Sequence, residues 1–306
     1  MSDAVLRLVV DGLRERRAFD GVAVERVTVG DRAVLVELRG AGVEAAEEAG
    51  EAAPPTAVRA GLAHRPPGAA PATDGVAVET LIAWALGEAP ADGDPTVARA
   101  VGVATLNALS APFVDWRDGD PMERLSADVG TIATVGLFRP AFRKFDAVDV
   151  RVVERDPVDA ARIETPPGVA VAVYGPDETA AAMAGADVVF VTGSTLVYGG
   201  LAEALAAAPP AATVVVVGAT ASVLPGPLFA AGADVVAGAA VDDPARVRAA
   251  VAAGACGTDL HDDGVRKGFV AGAPTADIDL ASDEHRANAA DHDGPAVADT
   301  TDTPEP

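Results

Sequence analysis

Residues 130–156, GTIATVGLFRPAFRKFDAVDVRVVERD, decide how this chain is read. The apolar, β-rich run 131–135 predicts a buried strand, and Gly136 ends it with a sharp turn. Pro140 suits the first turn of a short helix, and 149–153 predicts a second strand with Glu154 and Asp156 at its end. Strand, glycine turn, helix, strand is half of a doubly wound α/β fold. Such folds bind ligands beyond the carboxyl ends of their strands. The turn lacks the G-x-G-x-x-G pattern of a dinucleotide site, so it locates a ligand without naming it.

The same alternation continues toward the C-terminus. Strands are predicted near 186–192, 213–217 and 234–237, with a further one at Val169–Tyr174. The runs TIATV, DVVFVT and TVVVV are almost wholly apolar, as expected of parallel strands covered on both faces. Right-handed crossovers then give a sheet of order 3-2-1-4-5 with helices on both sides. The first part of the chain reads differently. An amphipathic helix at Leu6–Arg17 precedes two alternating runs, Val22–Val29 and Ala33–Arg39, joined by a hairpin turn at Gly30-Asp31. Loops at Glu44–Thr56 and Pro66–Gly75 flank a short strand at Arg59–His64. Helices follow at Val78–Leu86 and Pro95–Ser110, the second capped by Asp94. The expected organisation is an α+β domain (1–115), a polar linker (116–129), a Rossmann-like domain (130–270) and an acidic, disordered tail (271–306).

Composition narrows the function classes. The formal net charge is −23, from 46 acidic and 23 basic residues, while half the chain is hydrophobic. Lys144 and Lys267 are the only lysines; every other basic residue is arginine. A strongly anionic surface over ample core material fits a halophilic cytoplasm, where salt screens self-repulsion. Without a basic stripe, nucleic acid is not an expected partner. Met1–Asp20 does not read as a secretory leader, and no uncharged apolar run is long enough to span a membrane, so a cytoplasmic location is expected. A lone Cys256 excludes an internal disulfide and a multi-thiolate metal site. A homo-oligomer is compatible with the sequence.

Four places could carry chemistry. The first is Gly136-Leu137-Phe138-Arg139, where free N–H groups at a helix start favour an anion. Arg139 opposes the helix dipole there, and in so cation-poor a chain the expectation is that its guanidinium faces the ligand crevice. Glu154 and Asp156 lie about twenty residues beyond Gly136, the distance at which an acid accepts ribose hydroxyls in nucleotide-binding folds. They are equally suited to a hard cation or to Arg139. Thr192-Gly193-Ser194-Thr195 and Gly218-Ala219-Thr220 follow buried strands and make concave, N–H-rich turns. All three strand-end turns should converge on one crevice. Neither serine nor threonine has a G-x-S-x-G elbow, and no H-E-x-x-H pair marks catalytic zinc. Arg143 and Lys144 read as surface residues, and Asn107, polar within an apolar helix end, either satisfies neighbouring backbone or projects toward the crevice.

At these segments the sequence resembles a prokaryotic family of unknown function labelled putative heavy-metal chelation. The matching stretches are GVATLNALS (102–110), TVGLFRP (134–140), VVERDP (152–157), ADVVFVTGSTLV (186–197) and TVVVVGATASVLP (213–225). The resemblance implies an enolase-N-terminal-like domain joined to a Rossmann-like one, with a pocket between them for a metal or small ligand. Carried over by position, that pocket involves Asn107, the 136–139 turn, Glu154, the 192–195 turn and the 218–220 turn. Two departures stand out. Val197-Tyr198-Gly199-Gly200 replaces a continuation toward Asn, and Gly218-Ala219-Thr220-Ala221 replaces a turn of GPST type.

Three functions are open on this reading. The first is a protein binding a small anion or chelated metal, and the second a nucleotide- or S-adenosylmethionine-dependent enzyme. The third is a non-catalytic assembly protein. The candidate cofactors are a divalent or heavy metal and an adenosine-containing nucleotide.

Overall fold

Helix α1 (Ser2–Glu15) opens the chain because Val5, Leu6, Val9, Val10 and Leu13 recur at helical spacing, and all five are buried. It begins and ends slightly before the expected bounds. The computed structural model describes residues 2–40 and 58–280. The loop expected at 44–56, and residues 281–306 of the expected tail, lie outside the described residues.

Strands β1 (Val22–Val29), β2 (Ala33–Gly40) and β3 (Val58–His64) form an antiparallel sheet in that order. Helices α2 (Val78–Leu86) and α3 (Pro95–Ser110) follow, and Asp94 caps α3 by accepting the Thr96 N–H at 2.8 Å. A Cβ at Gly61 of β3 would overlap the Ala104 carbonyl oxygen of α3, so glycine is what lets helix and strand touch. The alternation of β2 suggests one wet face, and the structure shows otherwise. Val34, Val36 and Leu38 pack toward α1 and α3, while Ala33 and Leu35 pack against a later helix, α9 (Pro244–Ala252). Glu37, the polar member, is 3% exposed and accepts both 2.9 and 3.1 Å hydrogen bonds from Arg248 of α9.

The second sheet contains β4 (Arg117–Asp118), β5 (Thr131–Val135), β6 (Asp149–Val153), β7 (Ala170–Tyr174), β8 (Val188–Thr192), β9 (Thr213–Val217), β10 (Val235–Val241) and β11 (Val265–Ala271). Its order is β4-β11-β10-β9-β8-β5-β6-β7. Strands β7-β6-β5-β8-β9-β10 are parallel, which is the expected 3-2-1-4-5 order with one strand added. Helices α4 (Arg139–Phe142), α5 (Thr179–Met183), α6 (Thr195–Tyr198), α7 (Leu201–Ala207), α8 (Gly226–Ala230) and α9 lie in the connections. The apolar run of β8 has the expected cause. Val189 and Val191 enter the core shared with α1, α2 and α3, whereas Val188 and Phe190 enter a second core with Phe142, Phe145 and Phe269.

Two expectations are corrected at the sheet's far edge. Antiparallel β11 pairs with β10, and β4, from the segment read as a linker, pairs with β11. The tail expected from 271 is packed as far as 280. Ile278 is 1% exposed and bridges Leu125, and Asp277 accepts a 2.6 Å hydrogen bond from Thr213. One buried apolar side chain is enough to anchor a segment whose composition alone reads as solvated.

Candidate functional site

A cavity of about 920 Å³ lies where the carboxyl ends of β5, β6, β8, β9 and β10 meet the edge of the three-stranded sheet. This includes the reversal of strand order between β5 and β8, the place where doubly wound sheets leave a crevice. The turn after β5 is shaped by Gly136, whose φ of 96° disfavours any other residue and whose missing Cβ makes room for the Thr192 methyl. Its first free N–H is already satisfied. Glu154 accepts from Leu137 N–H at 2.9 Å through one oxygen and from Arg155 N–H at 2.9 Å through the other. The acid at the end of β6 therefore serves the turn after β5, and neither of its oxygens is left unengaged for a ribose.

Arg139 is not in the cavity wall. Its side chain is exposed and its guanidinium approaches the Arg162 carbonyl at 3.4 Å. The dipole argument fails because α4 spans only Arg139–Phe142, too short for an opposed charge to need a buried anion. Asp156 is likewise exposed and pairs with Arg155 at 3.3 Å. Asn107 stands behind the wall rather than in it. Its buried amide donates to Leu62 O at 2.7 Å and to Ala219 O and Thr220 O, each at 3.2 Å, tying β3 to the turn after β9.

The other expected residues do meet. Gly136, Leu137 and Phe138, Glu154, Thr192 to Thr195 and Gly218 to Thr220 all line the cavity. Gly193 donates to Val217 O at 2.7 Å and Thr195 Oγ1 to Thr192 O at 2.7 Å, while Thr192 and Ser194 hydroxyls bond each other. Thr220 Oγ1 accepts the His64 N–H at 2.9 Å, so this turn is joined to the small sheet twice.

Sequence reasoning missed the charged wall opposite. Lys144 and Lys267, the chain's only lysines, both line the cavity and both bond Asp120, Lys267 at 3.1 Å. Lys144, read as surface, also pairs with Glu123 at 2.8 Å. Burial alone would raise the Asp120 pKa, but the two ammonium groups outweigh it and hold the carboxyl below its ordinary value. Burial likewise works against the Lys144 charge, and Asp120 and Glu123 more than restore it. Rarity was the available signal: lysine survives in this chain only where a compact ammonium can share one carboxylate oxygen with another. His64, Arg155, Tyr198, Cys256 and His261 line the cavity as well, as do Arg32 and Glu203. Burial, then the Arg155 charge, lowers the His64 pKa.

Residues 120–269 match a family model, DUF364, described as "Putative heavy-metal chelation". Over these residues the chain is similar to the DUF364 family. The DUF364 likeness extends beyond them in solved structures. A DUF364 protein of unknown function from Pyrococcus horikoshii superposes with a TM-score of 0.65 at 19% identity, covering 87% of this chain and 99% of that one. Another, from Desulfitobacterium hafniense DCB-2, gives 0.60 at 17% identity, covering 85% and 99%. At these identities what is shared is the fold. No curated protein matches the sequence. The family description invites a metal test, and the donor set does not meet it. Among the described residues no three His, Cys, Asp or Glu side chains come together as a metal site.

Proposed function

We propose that this protein is cytoplasmic and binds a small organic anion, free or carrying a chelated metal, in the cavity between its two sheets. One observation carries the reading. In a chain built mainly from small apolar and acidic residues, both lysines, the single cysteine and both described histidines line the same cavity. Lys267, 35% exposed on its side chain, has ammonium hydrogens beyond the one given to Asp120 and is the cation best placed for the ligand's negative charge. The strand-end turns supply hydroxyls and backbone groups for its polar atoms.

The test is thermal unfolding of the purified protein in concentrated KCl against phosphate, citrate, nucleotides and metal–citrate complexes, beside native mass analysis for co-purified molecules. A genuine ligand at a hundredfold excess over its Kd stabilises by about 2.7 kcal/mol, a shift of several degrees. That shift should shrink in Lys267→Met. No co-purified molecule and no shift with any of the four classes would refute the reading.

A further inference from the structure

If the cavity is a small-ligand site, one cluster on its wall says more about the ligand. Three side chains from separate segments meet there: His64 at the end of β3, Arg155 just past β6, and Tyr198 at the end of α6. His64 Nε2 lies 3.0 Å from the Tyr198 hydroxyl, and the Arg155 guanidinium stands 3.9 Å from the centre of the Tyr198 ring. The backbone under two of them is held, and the third has a neighbouring carboxylate. The His64 backbone N–H donates to Thr220 Oγ1, Tyr198 is the last residue of a helix closed by Gly199 N–H to Thr195 O at 2.9 Å, and Arg155 bonds Asp156.

This arrangement has a chemical sense. A neutral imidazole carries one ring nitrogen that accepts, and a phenol has one hydrogen to give. Burial and the Arg155 charge keep the imidazole neutral, so a ring lone pair is there to accept a proton, and the same two causes make the imidazolium that follows short-lived. The Arg155 guanidinium lies over the ring face, where a cation is attracted by the ring's electrons and holds the phenol in place. Structural packing alone would be served by phenylalanine and leucine here. The hydroxyl, the imidazole and the cation add a route for a proton.

We propose that Tyr198 transfers protons to and from the ligand, with His64 and Arg155 as its positioning residues, and that the ligand is a small organic acid bearing a further ionisable hydrogen. This rests on the cavity binding a small ligand at all. In the step, the Tyr198 O–H bond breaks and its proton passes to His64 Nε2. The phenolate oxygen then takes the ligand's ionisable proton, leaving that bond's electron pair on the ligand and an imidazolium beside it. Reversal returns every proton, so no oxidant or other reactant is required.

Benzenesulfonyl fluoride tests the activation directly. The phenolate oxygen bonds to sulfur, the S–F bond breaks, fluoride leaves, and the phenolic proton goes to His64. The chain has two tyrosines, so Tyr174 is an internal control, and peptide mass spectrometry resolves the two sites. At neutral pH Tyr198 should be labelled at least about tenfold faster than Tyr174, and His64→Gln should slow Tyr198 alone by about tenfold or more, a cautious bound for a positioned base. Arg155→Met should slow it as well. Equal rates at the two tyrosines, or a Tyr198 rate untouched by His64→Gln in a variant with wild-type melting, would overturn the proposal. Labelling needs no ligand, so its failure removes proton transfer while the thermal-shift panel still decides small-ligand binding.

Discussion

Gly136→Ala probes the geometry on which the whole cavity depends. At φ 96° an alanine is held outside the ordinary left-handed region, which costs about 1–3 kcal/mol. Its Cβ would also overlap the Thr192 methyl and lie 3.1 Å from the Thr192 hydroxyl, adding about 1–3 kcal/mol of overpacking. The two together predict a loss of about 2–6 kcal/mol, a large share of the ~5–15 kcal/mol by which domains are stable. Urea unfolding in concentrated KCl measures it as a lower midpoint at unchanged slope. The structure also dictates the rescue. Thr192→Ser removes the methyl but keeps the hydroxyl, so the double variant should recover the overpacking part, about 1–3 kcal/mol, and not the backbone part. A loss below about 1 kcal/mol in Gly136→Ala, or no recovery from Thr192→Ser, would refute the packing described for this turn.

Three further outcomes are expected. Asn107→Leu leaves the carbonyls of Leu62, Ala219 and Thr220 without their shared donor and should lower stability by about 1–3 kcal/mol in the same urea assay; an unchanged midpoint would show that the amide does not join the sheets. Arg248→Met strands the buried Glu37 carboxylate and should cost about 2–3 kcal/mol, less than a fully buried pair because Arg248 is 34% exposed. Replacing Glu37 by leucine as well should recover much of that loss. His64 is held below its ordinary pKa of 6.5, so the unfolded chain takes the proton first as pH falls. Its stabilising contribution is present above pH 6.5 and is lost as pH falls through the lower folded-state value. His64→Gln should flatten that part of the stability–pH profile, and an identical slope in wild type and variant would count against the assignment.

Much of this architecture is written locally. The apolar runs of β5, β8 and β9 announce strands covered on two faces, and the spacing between them permits only a few crossovers. Gly136 and the turns at 192–195 and 218–220 could be placed at one crevice because every parallel strand points its carboxyl end the same way. The cap at Asp94 followed from Asp-Pro at a helix start.

What the sequence could not decide is where side chains of distant segments end. Arg139 turns outward because a single helical turn leaves its direction to local packing, and Glu154 turns inward because an unsatisfied N–H lies one strand away. Lys144, Lys267 and Asp120 meet only once β11 has added to β10 and β4 to β11, pairings that no local pattern signals. Glu37 looks like the wet side of β2 until α9, far later in the chain, covers that face. Periodicity records whether a residue's own element has a buried side, since that follows from backbone geometry and hydrophobicity alone. Which charges share a cavity depends on how completed elements stack, and that is settled by packing between segments far apart in the chain.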